Sequence, residues 1–131
     1  MIEVYTDGAA KGNPGLSGVG IFIKDNETVY QYSFHLGTYS SHEAEFMAVI
    51  KALEICQTLF PNEILSFRTD SRVVVDVIEK DFTKNKNFLP YLEKIRNEAS
   101  RFPYFFIKWI PKTKNKQADK LAKEAIHTTK T

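Results

Sequence analysis

The chain has 131 residues, with 18 Lys and Arg against 16 Asp and Glu and a single cysteine, Cys56. That length suits one domain spanning 1–131, large enough to bury a core without staples, and one cysteine excludes an intramolecular disulfide or a cysteine-rich zinc site. No apolar run reaches the roughly 18 residues of a membrane span, and no basic-then-apolar leader opens the chain; a cytoplasmic protein with no membrane attachment is expected.

The charge is unevenly spread. Residues 1–60 carry three Lys or Arg and seven Asp or Glu, whereas residues 61–131 carry fifteen and nine. A basic second half is the footprint of a polyanionic partner such as nucleic acid.

Ile2–Thr6 reads as a short, central, mostly apolar strand that delivers Asp7 at its end. Gly8, Gly12, Asn13, Pro14 and Gly15 then predict a loop of unusual backbone, with glycine and asparagine permitting positive φ. Gly18–Lys24 is a second strand, and Asp25-Asn26-Glu27 a turn. Thr28–Leu36 alternates, placing Tyr30, Tyr32, Phe34 and Leu36 on one face, the pattern of a half-buried antiparallel strand. Three strands therefore form a meander.

Ser40 or Ser41 can cap a helix that runs to about Leu59. At 100° per residue, Glu45 falls on the side of Ala48, Val49, Ala52 and Cys56. A carboxylate on a core-facing stripe is costly unless it is paired or binds a cation. Ile64–Thr69 is a fourth strand, and Thr69-Asp70-Ser71 repeats the chemistry of Thr6-Asp7-Gly8: strand, threonine, aspartate, small residue. Two such strand ends point to one shared site at the carboxyl edge of a sheet. Ser71–Lys80 reads as a helix, Asp81–Leu89 as a polar loop, Pro90–Phe102 as a helix with proline at its start, and Tyr104–Ile110 as the last strand. Trp109 is assigned to the core. Lys112–Lys116 is a basic connector, and Thr113 or Asn115 can cap a final helix with Ala118, Leu121, Ala122, Ala125 and Ile126 as its buried stripe and Asp119 at its edge. Fraying is expected from about His127. The order β-β-β-α-β-α-α-β-α gives an α/β fold: a mixed five-stranded sheet, three strands antiparallel and the later ones added in parallel, flanked by helices.

Asp7, Glu45, Asp70 and Asp119 can converge at one edge of such a sheet. Four close carboxylates repel strongly unless cations neutralise them. Oxygen-only ligation selects hard ions, of which Mg²⁺ fits best. Two such ions about 4 Å apart are the apparatus of in-line displacement at phosphorus.

The chain resembles the type 1 ribonuclease H (ribonuclease HI) family. The motifs that carry the likeness are Thr6-Asp7-Gly8 with Gly12-Asn13-Pro14-Gly15 and Gly18-Val19-Gly20, then Glu43-Ala44-Glu45-Phe46-Met47-Ala48, Thr69-Asp70-Ser71, Trp109-Ile110-Pro111, and Asn115-Lys116-Gln117-Ala118-Asp119-Lys120-Leu121-Ala122. They stand in family order along nearly the whole chain. The resemblance implies an endonuclease that cleaves the RNA strand of RNA–DNA hybrids with two Mg²⁺ ions, for which Mn²⁺ can substitute, leaving 5′-phosphate and 3′-hydroxyl ends. It implies that the metal-binding and catalytic carboxylates are Asp7, Glu45, Asp70 and Asp119; a monomer is expected. The family's contacts to RNA 2′-hydroxyls map to Gly8, Asn13, Ser41, His42 and Ser71, and its aromatic against the DNA strand to Phe82. Lys112 and Lys114 are expected at phosphates. The chain departs from the family at Ser41-His42, where many relatives have paired asparagines. It also lacks a histidine in the connector before Asp119, and the short Lys80–Asn87 stretch replaces a basic helix-and-loop handle. The alternative is a non-catalytic or weakly active module that binds RNA or hybrids on the same fold.

Overall fold

The computed structural model describes residues 1–127. Its elements are β1 (Ile2–Gly12), β2 (Gly15–Asp25), β3 (Thr28–Tyr39), α1 (Ser41–Leu59), β4 (Ile64–Thr69), α2 (Arg72–Lys80), α3 (Leu89–Ala99), β5 (Tyr104–Trp109), a short 3₁₀ turn at Lys112–Lys114, and α4 (Lys116–His127). The sheet order is β3-β2-β1-β4-β5. The pairs β1–β2 and β2–β3 are antiparallel, and β1–β4 and β4–β5 are parallel. This is the mixed sheet that the sequence pattern calls for.

One sheet face is apolar. Val4, Val19, Ile21, Ile23, Leu65 and Phe67 are fully buried there against Phe46, Val49 and Leu53 of α1. The helix α1 starts where its sequence permits: the Ser40 hydroxyl accepts from the Glu43 N–H, and the Glu43 carboxylate accepts from the Ser40 N–H. Such a reciprocal cap stabilises by about 1 kcal/mol. Cys56 is fully buried on this helix, and burial pushes its thiol up to about 12, so it is inert packing.

The other face is crossed by α4, which packs on β1, β2 and β3. It comes close because β2 presents glycine to it. A Cβ on Gly20 would lie 2.1 Å from the Ala118 carbonyl oxygen, and one on Gly18 2.6 Å from the Ala122 carbonyl oxygen. Ala118, Ala122, Ala125 and Ile126 are buried against the sheet as expected, whereas Leu121 is only half-buried.

Four local expectations are corrected. Residues 8–15 are not a loop: β1 and β2 stay paired through Gly12 and Gly15, leaving only Asn13 and Pro14 in the turn. Of this stretch only Gly12 has positive φ, at 116°. Asp7 therefore sits inside the ladder opposite Gly20, not at a strand end. Helix α3 stops at Ala99 rather than Phe102, because Arg101 and Phe102 bond to Glu98 and Ala99 in tight turns and Phe102 precedes Pro103, which disfavours helical backbone. Trp109 is at the surface, 36% exposed, not in the core. His127 is helical; the expected fraying beyond it lies outside the described residues.

Candidate active site

The two aspartates are brought abreast by strand register. Tyr5 of β1 pairs with Arg68 of β4, so two residues further along each strand come Asp7 and Asp70. Strand β4 ends at Thr69, while β1 continues beside β2. Glu45 arrives from α1, which can approach β1 this closely only because position 8 is glycine: a Cβ there would lie 2.2 Å from the Ala44 carbonyl carbon. The Gly8 N–H donates to Glu45 Oε1 at 2.9 Å and fixes the carboxylate over the strand. Carboxylate oxygens of Asp7, Glu45 and Asp70 all lie within 4.8 Å of one another.

Asp119, on α4, lies outside this group of three but near enough for its charge to act on Asp7, and it pairs with Lys123 at 3.1 Å and Lys112 at 3.5 Å. The electrostatics follow. Burial, then Asp70 and Asp119, push the Asp7 carboxyl from an ordinary 3.8 up to about 8, against the pull of Lys112. Burial, then Asp7, raise Glu45 well above the usual carboxylate range, and the Gly8 hydrogen bond only partly offsets them. Burial also acts to raise Asp119, but the Lys123 hydrogen bond and the charges of Lys112 and Lys123 overcome it and hold that carboxyl low. Lys112 in turn loses to burial but gains more from Asp119, Asp7 and Asp70, and is raised. Such a cluster holds protons it would release to a cation. With oxygen donors only and a separation of a few ångströms, it suits a hard divalent ion.

The residues expected at a substrate divide into two groups. Ser41, His42 and Ser71 line a cavity of about 420 Å³ together with Glu45, Asp70, Arg72, Val73 and Trp109. Asn13 reaches the same rim, its Oδ1 accepting from the Ser41 N–H at 3.0 Å. The Ser71 hydroxyl is engaged as the cap of α2, accepting from the Val74 N–H. Lys112 is at the acids. Gly8 is buried and its N–H is taken by Glu45. Lys114 lies away from the acids, beside Tyr5, Phe22 and Lys24. Phe82 is 59% exposed and lines no part of the cavity.

Three residues of the site were not singled out by sequence. Asn115, read as a helix cap, is 1% exposed; its Nδ2 donates to the Thr6 carbonyl at 2.9 Å and to Asp70 Oδ2 at 3.3 Å. Trp109 Nε1 donates to the Asp70 carbonyl at 3.1 Å, and the Arg72 guanidinium stacks 3.9 Å above the indole. The position of Asn115 four residues before Asp119, one helical turn, was the available signal.

Comparison with known proteins agrees with this geometry. A protein family described as reverse transcriptase-like matches residues 5–125. The Enterococcus faecalis protein EbsB is 39% identical over 127 residues, covering 96% of this chain and 94% of that protein. A ribonuclease H of Trichodesmium erythraeum is 39% identical over 83 residues, which are 63% of this chain; the match spans 51% of that protein's length. Among solved structures, LC11-RNase H1 in complex with an RNA/DNA hybrid superposes with a TM-score of 0.90 at 31% identity, over 97% of each chain.

Proposed function

The chain belongs to the type 1 ribonuclease H family, and from that premise we propose that it hydrolyses the RNA strand of RNA–DNA hybrids by two-metal-ion catalysis, leaving 5′-phosphate and 3′-hydroxyl ends. The observation that carries the proposal is the convergence of Asp7, Glu45 and Asp70 within 4.8 Å, from three different elements. Those three, with Asp119, are the residues that would hold the ions. Two Mg²⁺ ions, or Mn²⁺ in their place, supply activation of water and stabilisation of the leaving oxygen when bound.

The chain's own residues do the rest. Asn115 and the Trp109 indole tether Asp70 through its carboxylate and its carbonyl. The Gly8 N–H sets the angle of Glu45. Ser41, His42, Asn13 and Ser71 stand on the rim where a ribose 2′-hydroxyl would be read, the group that separates RNA from DNA. Lys112 neutralises the acids and is placed to meet a phosphate that arrives with its cation. The same reading makes residues 1–131 one ribonuclease H domain, a cytoplasmic monomer with a hybrid as its partner.

A binding module that keeps the fold without chemistry is the second reading, and the complete set of acids disfavours it. The test is cleavage of a labelled hybrid with and without Mg²⁺, with RNA–RNA and DNA–DNA duplexes as controls. Hybrid cleavage that needs the ion and is lost in Asp70→Asn is expected. Unchanged turnover in that variant would overturn the metal assignment.

A further inference from the structure

The face of the sheet that α4 leaves uncovered is built of rings and cations. By strand register its side chains form two rows: Phe22, Tyr5, Arg68 and Lys108 in one, and Lys24, Glu3, Ser66 and Phe106 in the next. Tyr104 lies beyond Phe106 on β5. Helix α4 packs over β1, β2 and β3 further along, where Gly18 and Gly20 admit it. Among the described residues the same face is open over β5, while on β4 Ser66 is buried and Arg68 is half-buried. Tyr104 is 61% exposed and Phe106 53% exposed, although their rings are stacked, with centroids 6.1 Å apart and planes 7° from parallel.

Large rings turned to solvent in a tidy stack are not explained by the core. Beside them lies a rigid floor. The Arg68 guanidinium sits over the Tyr5 ring at 5.4 Å and is bonded to the Tyr5 hydroxyl and to Glu3, each at 3.0 Å. Tyr5 in turn meets Phe22 edge-on at 5.9 Å. Glu3 is thus neutralised by Arg68, and the exposed Lys24 and Lys108 set the sign of the face. Glu79 shares a shallow cavity with Phe106 on the outer rim beside β5.

We propose that this sheet face binds single-stranded nucleic acid, its bases stacking on Tyr104 and Phe106 and its phosphates meeting Lys108 and Lys24. An open sheet carrying aromatic rings between cations is the physical recipe for unpaired bases, whose π-faces are available only outside a duplex. A protein partner fits less well, because lysine is depleted from protein interfaces. Asp7, two residues beyond Tyr5 and opposite Gly20, belongs to the next row of the same face, but the proposed contacts use none of the four acids and do not depend on the nuclease reading. They would let the chain hold a single strand adjoining a duplex, or a released strand, through contacts other than the acids.

The experiment uses the full chain and a fluorescein-labelled 12-nucleotide oligothymidylate, read by anisotropy at low salt, with a DNA duplex of equal length as control. The wild type is expected to prefer the single strand. Tyr104→Leu with Phe106→Leu keeps an apolar strand but removes the rings, and should weaken single-strand binding about tenfold or more. Lys24→Gln with Lys108→Gln, both exposed, is the pair least able to disturb folding, and should lower the salt slope by about 1.4. Phe106→Trp should add a fluorescence signal that the oligonucleotide quenches. Hybrid cleavage should stay at the wild-type level in all of these, so failure here and failure of the nuclease reading are distinguishable. The proposal is overturned if the oligonucleotide does not bind, or if both variant pairs bind it as the wild type does. It is equally overturned if the leucine pair abolishes self-association of the chain without changing nucleic-acid binding, which would make the face a contact between copies.

Discussion

Replacing Asp7 by asparagine is expected to stabilise the metal-free protein, and to do so more as pH rises. Asp7 is 3% exposed, and burial with two neighbouring acids moves its carboxyl from 3.8 to about 8. Between those values the folded chain holds a proton that the unfolded chain has released. The stability this group contributes is therefore fully present below its unfolded pKa and is lost as pH rises through its folded one. At about 1.4 kcal/mol per pKa unit, the span amounts to a ceiling of roughly 6 kcal/mol. Asp7→Asn removes the titration and keeps an N–H that can donate to Asp119 in place of the carboxyl proton. Taking half the ceiling for imperfect replacement gives a gain of about 3 kcal/mol at pH 8, roughly 10 °C in Tm, and about 1 kcal/mol at pH 5. Thermal unfolding in a chelator across pH 5 to 8 measures it. Mg²⁺ at 10 mM should shift the comparison, because an ion bound with Kd near 1 mM stabilises only the wild type, by about 1.4 kcal/mol. A gain independent of pH, or a variant less stable than the wild type at pH 8, would refute the account of Asp7 as a strained carboxyl.

Asn115→Ala removes the donor shared by the Thr6 carbonyl and Asp70; it should cost about 1–3 kcal/mol by denaturant unfolding and reduce the affinity for Mg²⁺ measured by calorimetry. Ser41 supplies a short hydroxyl where an amide would reach further, a loss on the order of 1 kcal/mol in one contact. Ser41→Asn with His42→Asn should therefore raise hybrid affinity or selectivity over DNA at fixed salt. Lower activity in both that variant and His42→Ala would assign the contact to the imidazole instead.

Most of the architecture was legible because it is written in local periodicity. The alternation of Thr28–Leu36 and the cap at Ser40 gave β3 and α1 nearly at their observed limits. The stretch from Gly8 to Gly15 misled because glycine serves two purposes. Gly8 is there for the close approach of α1, not for positive φ, and a single sequence does not show which helix passes overhead. Glu45 could be named because a carboxylate on a core-facing stripe is costly, and Asp7 with Asp70 because Thr69-Asp70-Ser71 repeats Thr6-Asp7-Gly8. Asn115 and Trp109 were missed for the opposite reason: an asparagine before a helix has an ordinary local use, and an indole has an ordinary place in a core. Their bonds to Asp70 join positions 45 and 39 residues apart, which only the folded chain reveals.

The glycine-floored track under α4 has a dynamic consequence. That helix is held to the sheet by three alanines and one isoleucine, whereas α1 buries phenylalanine, valine and leucine. Close backbone approach compensates for the small side chains only while the helix is seated, so α4 is expected to open more readily than α1. When it opens it carries Asp119 away, and the cluster falls from four carboxylates to three. Amide exchange in α4 should then outpace exchange in α1 in the metal-free protein and slow selectively when Mg²⁺ is added; uniform exchange across both helices would mean that the fourth acid is as permanent as the core.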